Sequence, residues 1–177
     1  MNRKQARTIS FRIEGDIIDK LEGEAQRREI TLNKFVNQIF RNFLEWDMLQ
    51  SQAGMIPVAK PVVAEVFRKI NKEEIVSLAK EVGRSSTHNI ILFMKQKMDL
   101  NSFLSWLEIW IKKDSTAGFS RTKENGVHTC IMKHDLGENW SLYHKIVLET
   151  IFNEILHRPI DTIISNSTLI FKIKEEE

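Results

Sequence analysis

His128, Cys130, Met132 and His134 occupy every second position of "GVHTCIMKHD", residues 126–135. On a strand, side chains of one parity share a face. Imidazole, thiol and thioether groups in that arrangement are soft-to-borderline ligands suited to copper(I), zinc or nickel. Geometry limits the reading. Positions two apart lie about 7 Å from each other along a strand, so neighbours can share an ion, whereas His128 and His134, about 20 Å apart, cannot. His128, Cys130 and His134 are therefore metal candidates only in adjacent pairs. The competing reading is that Cys130 and Met132 fill a core and that His134 hydrogen-bonds near the turn leading to Trp140. No cofactor is required by the pattern.

The stretch that follows, "HDLGENWSLYH" over residues 134–144, places a strand end, a glycine turn and a helix start side by side. His134, Asn139, Trp140 and Tyr143 would gather there. A helix N-terminus favours an anionic ligand, and pockets combine aromatic side chains with a few polar groups. A small-molecule effector site is one expectation, and a packed corner between strand and helix is the other.

A third constellation opens the chain. In "KQARTISFRIEGD", residues 4–16, Ile9, Phe11 and Ile13 alternate with Thr8, Ser10 and Arg12. That is the period of a strand with one apolar and one polar face. Residues 1–13 carry Arg3, Lys4, Arg7 and Arg12 with no acid, a local charge of +4, while residues 14–50 sum to −3. A basic terminal arm is a footprint of nucleic-acid contact. No other strand pattern occurs in the next fifty residues, so this strand needs a pairing partner from elsewhere.

The elements that must position these residues read as follows. Asp16 is the expected N-cap of a first helix carrying Ile17, Ile18, Leu21 and Ala25 on one side. Thr31 is the expected N-cap of a second, with Ile30 placed to staple onto Phe35. Phe35, Val36, Ile39, Phe40, Phe43 and Leu44 form a broad apolar face, more than a module of this size can bury alone. Residues 51–61, "SQAGMIPVAKP", read as a linker. Beyond it, Asn71 and Glu74 resemble a capping box before Ile75, Leu78, Ala79 and Val82. Further helices are expected over 86–97 and 101–113, the latter with Phe103, Leu104, Leu107, Trp110 and Ile111 in a stripe. Strands follow over "AGFSRTK" and "GVHTCIMKHD" around the turn "ENG", then a helix over 139–157 with Ser141, Lys145, Glu149 and Asn153 outward. Two strands, 160–165 and 168–174, close the chain. The domain plan is 1–50, a linker 51–61, and an α+β domain 62–177 with a helical half and a β-β-α-β-β tail.

The totals bound the function. One cysteine among 177 residues forbids an intrachain disulfide, which suits a reducing compartment. The basic N-terminus has no apolar run after it, unlike a signal peptide, and no run reaches the ~18–20 apolar residues of a membrane span. A cytoplasmic protein is expected. There is no P-loop, G-x-G-x-x-G, G-x-S-x-G or His-Glu-x-x-His pattern. Cys130 on one strand with His128 and His134 is a poor frame for a nucleophile and its base. An enzyme is not expected.

Residues 7–44, "RTISFRIEGDIIDKLEGEAQRREITLNKFVNQIFRNFL", resemble the ribbon–helix–helix DNA-binding family of the Arc, MetJ and CopG type. The resemblance covers about a fifth of the chain. It implies an intertwined homodimer in which the opening strand pairs antiparallel with its copy. Ile9, Phe11, Ile13, Ile17, Leu21, Phe35, Val36, Ile39, Phe40 and Phe43 would then form the shared core. Thr8, Ser10 and Arg12 would face the major groove of double-stranded DNA, Arg12 reaching guanine in bidentate fashion. Thr31, Leu32, Asn33 and Lys34 at the second helix's N-terminus, with Arg3, Lys4 and Arg7, would hold phosphates. The family commonly has proline or a similar residue after the strand, where this chain has Glu14-Gly15.

The function implied is a sequence-specific transcriptional regulator whose second domain senses an effector or assembles dimers into tetramers. An antitoxin is one alternative, although toxin-binding segments tend to be short and disordered and residues 62–177 read as folded. A metal-responsive regulator using the second domain is the other.

Overall fold

In the computed structural model, which describes residues 7–113 and 118–174, the chain divides into two compact units, Met1–Met48 and Leu49–Glu177. Arg3 and Lys4 lie outside the described residues.

Residues 7–14 form neither helix nor strand within the chain. Among the described residues the alternating segment pairs with no strand. Helix α1 spans Gly15–Arg27. Its N-cap is Glu14 rather than Asp16: the Glu14 carbonyl accepts the N–H groups of Ile17 and Ile18, both at 3.1 Å. Asp16 falls in the first turn, where a carboxylate suits the positive helix end, and faces Lys20 at 3.5 Å. Helix α2, Leu32–Asn42, begins as expected at Thr31, whose hydroxyl oxygen accepts the Lys34 N–H at 3.2 Å. A π-helical turn, Phe43–Asp47, and a short helical turn, Met48–Gln50, follow it.

Early in the second unit comes a left-handed turn at Gly54 (φ +75°), where the Met55 N–H returns to the Gln50 carbonyl at 3.0 Å. That 6→1 bond is the signature of a helix stopped by glycine. Helix α3 spans Lys60–Lys69, with Pro61 in its first turn. Helix α4, Lys72–Leu78, opens with the expected capping box of Asn71 and Glu74. It passes through a π-helical turn, Ala79–Gly83, into α5, Arg84–Lys95. Helix α6 covers Leu100–Lys113. The hairpin β1, Gly118–Glu124, and β2, Val127–Lys133, turns at Asn125 and Gly126, both with positive φ. Two such residues define the turn that matches strand twist. Helix α7, Glu138–Glu154, and strands β3, Ile160–Ile164, and β4, Thr168–Lys174, complete the chain.

The result is an α+β fold whose four strands run antiparallel in the order β1-β2-β4-β3. The inward face of β2 and β4 supplies Cys130, Met132, Leu169, Phe171 and Ile173, all essentially inaccessible. Phe103 of α6 meets Phe152 of α7 edge-on with ring centres 5.1 Å apart. Trp106, outside the expected α6 stripe, is buried as well, while Trp110 is only half-buried.

Two expectations about helix faces need correcting. Val82 is half exposed and Gly83 is buried. The π-helical turn adds a residue to the helical circuit, so the inward series runs Ile75, Ala79, Gly83 and Val82 is rotated outward. Ser141 is not on a solvated stripe but fully buried, for a reason given below. No helix among the described residues is long and apolar enough to cross a membrane.

Candidate functional site

The first unit presents chemistry without enclosing it. Arg7, Thr8, Ser10 and Arg12 are all exposed, as are Thr31, Asn33 and Lys34, with Leu32 half-buried. At the head of α2, the Thr31 hydroxyl uses one of its two lone pairs to accept the Lys34 N–H, and its own proton can be donated. The N–H groups of Leu32 and Asn33 point out of the helix end, as first-turn donors must. The Asn33 side chain is oriented by Asn37, whose Nδ2 donates to both the Oδ1 (2.6 Å) and the carbonyl oxygen (2.8 Å) of Asn33. With Oδ1 engaged, the Asn33 amide nitrogen remains as an outward donor. A hydroxyl, backbone N–H groups, an amide and the Lys34 ammonium together make a cluster of donors fitted to an anion such as a backbone phosphate.

The apolar members of this unit are largely uncovered. Among residues 7–48 only Ala25, Phe35 and Trp46 are buried. Ile9 is 70% exposed, Phe11 60%, Phe40 48%, Phe43 51% and Leu44 57%, and Ile13, Ile17 and Ile39 are exposed too. Leu21 and Val36 are half-buried. The Phe11 ring rests 5.9 Å from that of Phe40, which brings the arm's apolar parity and the α2 face onto one surface. Arg28 covers the ring of Phe35 at 5.1 Å.

In the second unit, His128, Cys130, Met132 and His134 do share one face, and that face is the core. Their nitrogen lone pairs are occupied. Arg121 aims Nε and Nη2 at His128 Nδ1, each at 3.2 Å, and its Nη1 at Glu108 Oε1 at 2.7 Å. The Leu136 N–H donates to His134 Nδ1 at 3.2 Å, so the imidazole carries its proton on Nε2, which donates a hydrogen bond to Ser141 Oγ at 2.8 Å. Ser141 in turn donates to the Ser165 carbonyl at 2.7 Å. This relay explains why Ser141 is inside. Burial pushes the Cys130 thiol up to about 11, which keeps it protonated and a poor ligand. Among the described residues no three His, Cys, Asp or Glu side chains converge on a metal position.

In the expected effector corner over 134–144, His134, Trp140 and Tyr143 pack against neighbouring rings. The His134 and Trp140 rings lie 4.3 Å apart, and Trp140 packs on His144 at 3.7 Å. Asn139 donates both amide protons at the C-terminal end of α3, to the carbonyls of Phe67 at 2.9 Å and of Ile70, just past the helix, at 2.8 Å. Tyr143 meets Phe67 edge-on at 5.6 Å, and burial raises its phenol above the ordinary range. Beside the α7 N-terminus an open depression of about 370 Å3 remains, lined by Ala64, Arg68, Asp135, Leu136, Gly137, Glu138 and Asn139. Arg68 is held by Glu65 at 2.7–2.8 Å, while Asp135 and Glu138 bind Lys60 and Lys72 at 2.7 and 3.0 Å. Two carboxylates at its mouth oppose the anion that a helix end would attract. The Lys60 ammonium holds the Asp135 carboxyl below its ordinary range.

Sequence reasoning missed a groove of about 660 Å3 between residues 52–56 and α5. Its one wall lies in a segment rich in glycine and proline, which reads as linker, so nothing in the residue pattern marked it.

The chain matches no protein-family model and no curated protein at a significant level.

Proposed function

We propose that residues 7–44 are a ribbon–helix–helix module and that the protein is a homodimeric, sequence-specific DNA-binding regulator of transcription. The observation that carries this is the uncovered apolar surface of the first unit, with three buried side chains among residues 7–48. Each large apolar side chain moved from water into an interior contributes about 1.5–3 kcal/mol. A second copy that pairs its residues 8–13 with these would cover Ile9, Phe11 and Ile13 together with Phe40 and Phe43, and would satisfy the unpaired backbone of the arm.

The same pairing turns Thr8, Ser10 and Arg12 outward as a two-stranded ribbon, which the major groove is wide enough to admit. Arg12 reads guanine O6 and N7; Thr8 and Ser10 read neighbouring edges. Thr31, Leu32, Asn33 and Lys34 seat a phosphate at the head of α2, and Arg7 adds a sequence-independent contact. The folded α+β unit over 49–177 favours a regulator over an antitoxin, whose partner-binding segment is short and unfolded until bound.

Selection of binding sites from random duplex DNA by the full-length protein tests the reading. An enriched palindrome occupied by two copies is the expected result. Recovery of unselected sequence, with sedimentation as a lone subunit at micromolar concentration, would falsify it.

A further inference from the structure

We propose that the groove between residues 52–56 and α5 binds a small, uncharged organic molecule with an aromatic or branched aliphatic body and an amide or hydroxyl edge. The inference stands whether or not residues 7–44 bind DNA.

Three observations converge. The groove's volume, about 660 Å3, lies within the roughly 300–1,000 Å3 of small-molecule sites. Its apolar surface comes from Met55, Ile56, Ile90 and Phe93, with Ile56 79% exposed and Phe93 39% exposed at the groove. Uncovered apolar side chains on facing walls are a surface that an apolar body would remove from water. Gln52, Ser86 and Asn89 supply two carboxamides and a hydroxyl to the same space. None of the three side chains hydrogen-bonds within the described residues, whereas the amide groups of Asn37 and Asn139 elsewhere are committed to partners. Donors and acceptors left open on both walls can fix a ligand's orientation.

The chemical class follows from what is missing among those residues. No Asp, Glu, Lys or Arg lines the groove, in a chain where these types make up 28% of residues. A charged ligand would lose water there without gaining an ion pair. An uncharged one exchanges water for amide and hydroxyl partners at little cost. One wall is also preformed. The Gly54 turn is held by the Met55-to-Gln50 bond at 3.0 Å and the Gly54-to-Ser51 bond at 3.1 Å, and the other wall is a helix. A backbone already held in place spares part of the ordering cost of binding.

Cysteine capture tests this directly in the full chain. The native Cys130 is buried and stays protonated, so a Ser86→Cys thiol is the reactive one. It is offered a set of disulfide-linked fragments, half aromatic amides and half carboxylates or amines of equal size, and adducts are read by intact mass. Thr122→Cys, exposed on β1, is the control, and Gln52→Cys repeats the test from the opposite wall. The expected result is at least tenfold greater capture of aromatic amides at residues 86 and 52 than at 122. Adding Asn89→Leu should erase the preference for amides over plain aromatics. Equal capture at all three cysteines, preference for charged fragments, or rapid disulfide-linked dimerisation of Ser86→Cys that excludes fragments would each overturn the proposal, the last by making a second copy the occupant.

Discussion

At the scale of single residues, three side chains carry distinct and separable consequences. Arg12 is exposed on the polar parity of the arm, and a bidentate guanine contact is worth about 1–3 kcal/mol of base discrimination. Under the proposed function, Arg12→Ala should lose preference for the selected operator by about tenfold or more and leave the proposed dimer intact. Competition between operator and scrambled duplex measures this, and retained preference removes Arg12 as a base reader. Under the proposed function Lys34 would contribute differently, because an ammonium on a phosphate is blind to sequence. Lys34→Ala should weaken all duplexes alike and reduce the slope of log K against log salt by about one unit; an unchanged slope takes Lys34 out of the phosphate set. Cys130 reports on folding instead. Its thiol is raised by burial from near 9 to about 11, so the folded state holds a proton that the unfolded state releases. The contribution is complete below pH 9 and is lost as pH rises toward 11. Urea midpoints should fall over that window, and the fall should be shallower in Cys130→Ala. Identical pH slopes in the two proteins would contradict the assignment.

At the scale of elements, the contact between the α4–α5 junction and α7 is the tightest place to test packing. A Cβ at Gly83 would lie 2.5 Å from Val147 Cγ2 and 2.6 Å from Tyr143 Oη. Alanine ordinarily gains about 1 kcal/mol over glycine inside a helix, but overpacking a filled core costs about 1–3 kcal/mol. The clash involves a β-branched side chain and a ring, neither of which can swing aside, so Gly83→Ala should destabilise by up to about 2 kcal/mol net. Chemical denaturation followed through tryptophan fluorescence gives the value, and a stabilised variant would mean α7 can retreat. This junction also marks where the sequence stops being legible. Capping at Thr31 and at Asn71–Glu74 could be read directly, because a short polar side chain before an apolar run has one efficient use. The Asn125-Gly126 turn and the β-β-α-β-β tail were equally open to reading, since the turn demands residues that tolerate positive φ. The inversion of Val82 and Gly83 was not. A π-helical turn leaves no compositional trace, and a fixed 3.6-residue period assigns the wrong face beyond it. The burial of Ser141 was hidden for another reason: its partners, His134 and Ser165, come from segments 7 and 24 residues away, and only the tertiary fold brings them to one point.

At the scale of the whole molecule, the two units differ in how they account for their apolar residues. The second unit closes its core over the inner sheet face with Phe103, Phe152 and Phe171 wholly inaccessible. The first leaves Ile9, Phe11, Phe40, Phe43 and Leu44 in water, and that asymmetry was foreseeable from the apolar excess of residues 30–44. It sets the last prediction. Phe40 touches Phe11 at 5.9 Å but remains 48% exposed, so in an isolated subunit Phe40→Asp leaves the carboxylate free to reach solvent and costs little. In a braided dimer the same carboxylate would be closed into an apolar interior, where an unpaired charge is strongly disfavoured. Phe40→Asp should raise the dimer dissociation constant at least a hundredfold, about 3 kcal/mol, and abolish operator binding. The near-ultraviolet circular dichroism from Trp106, Trp110 and Trp140 of the second unit should be unchanged. Sedimentation equilibrium of the wild type and the variant across a thousandfold concentration range separates the outcomes. A variant that stays dimeric with the wild-type constant would place the subunit contact elsewhere, and the exposed face of the first unit would then need a different partner.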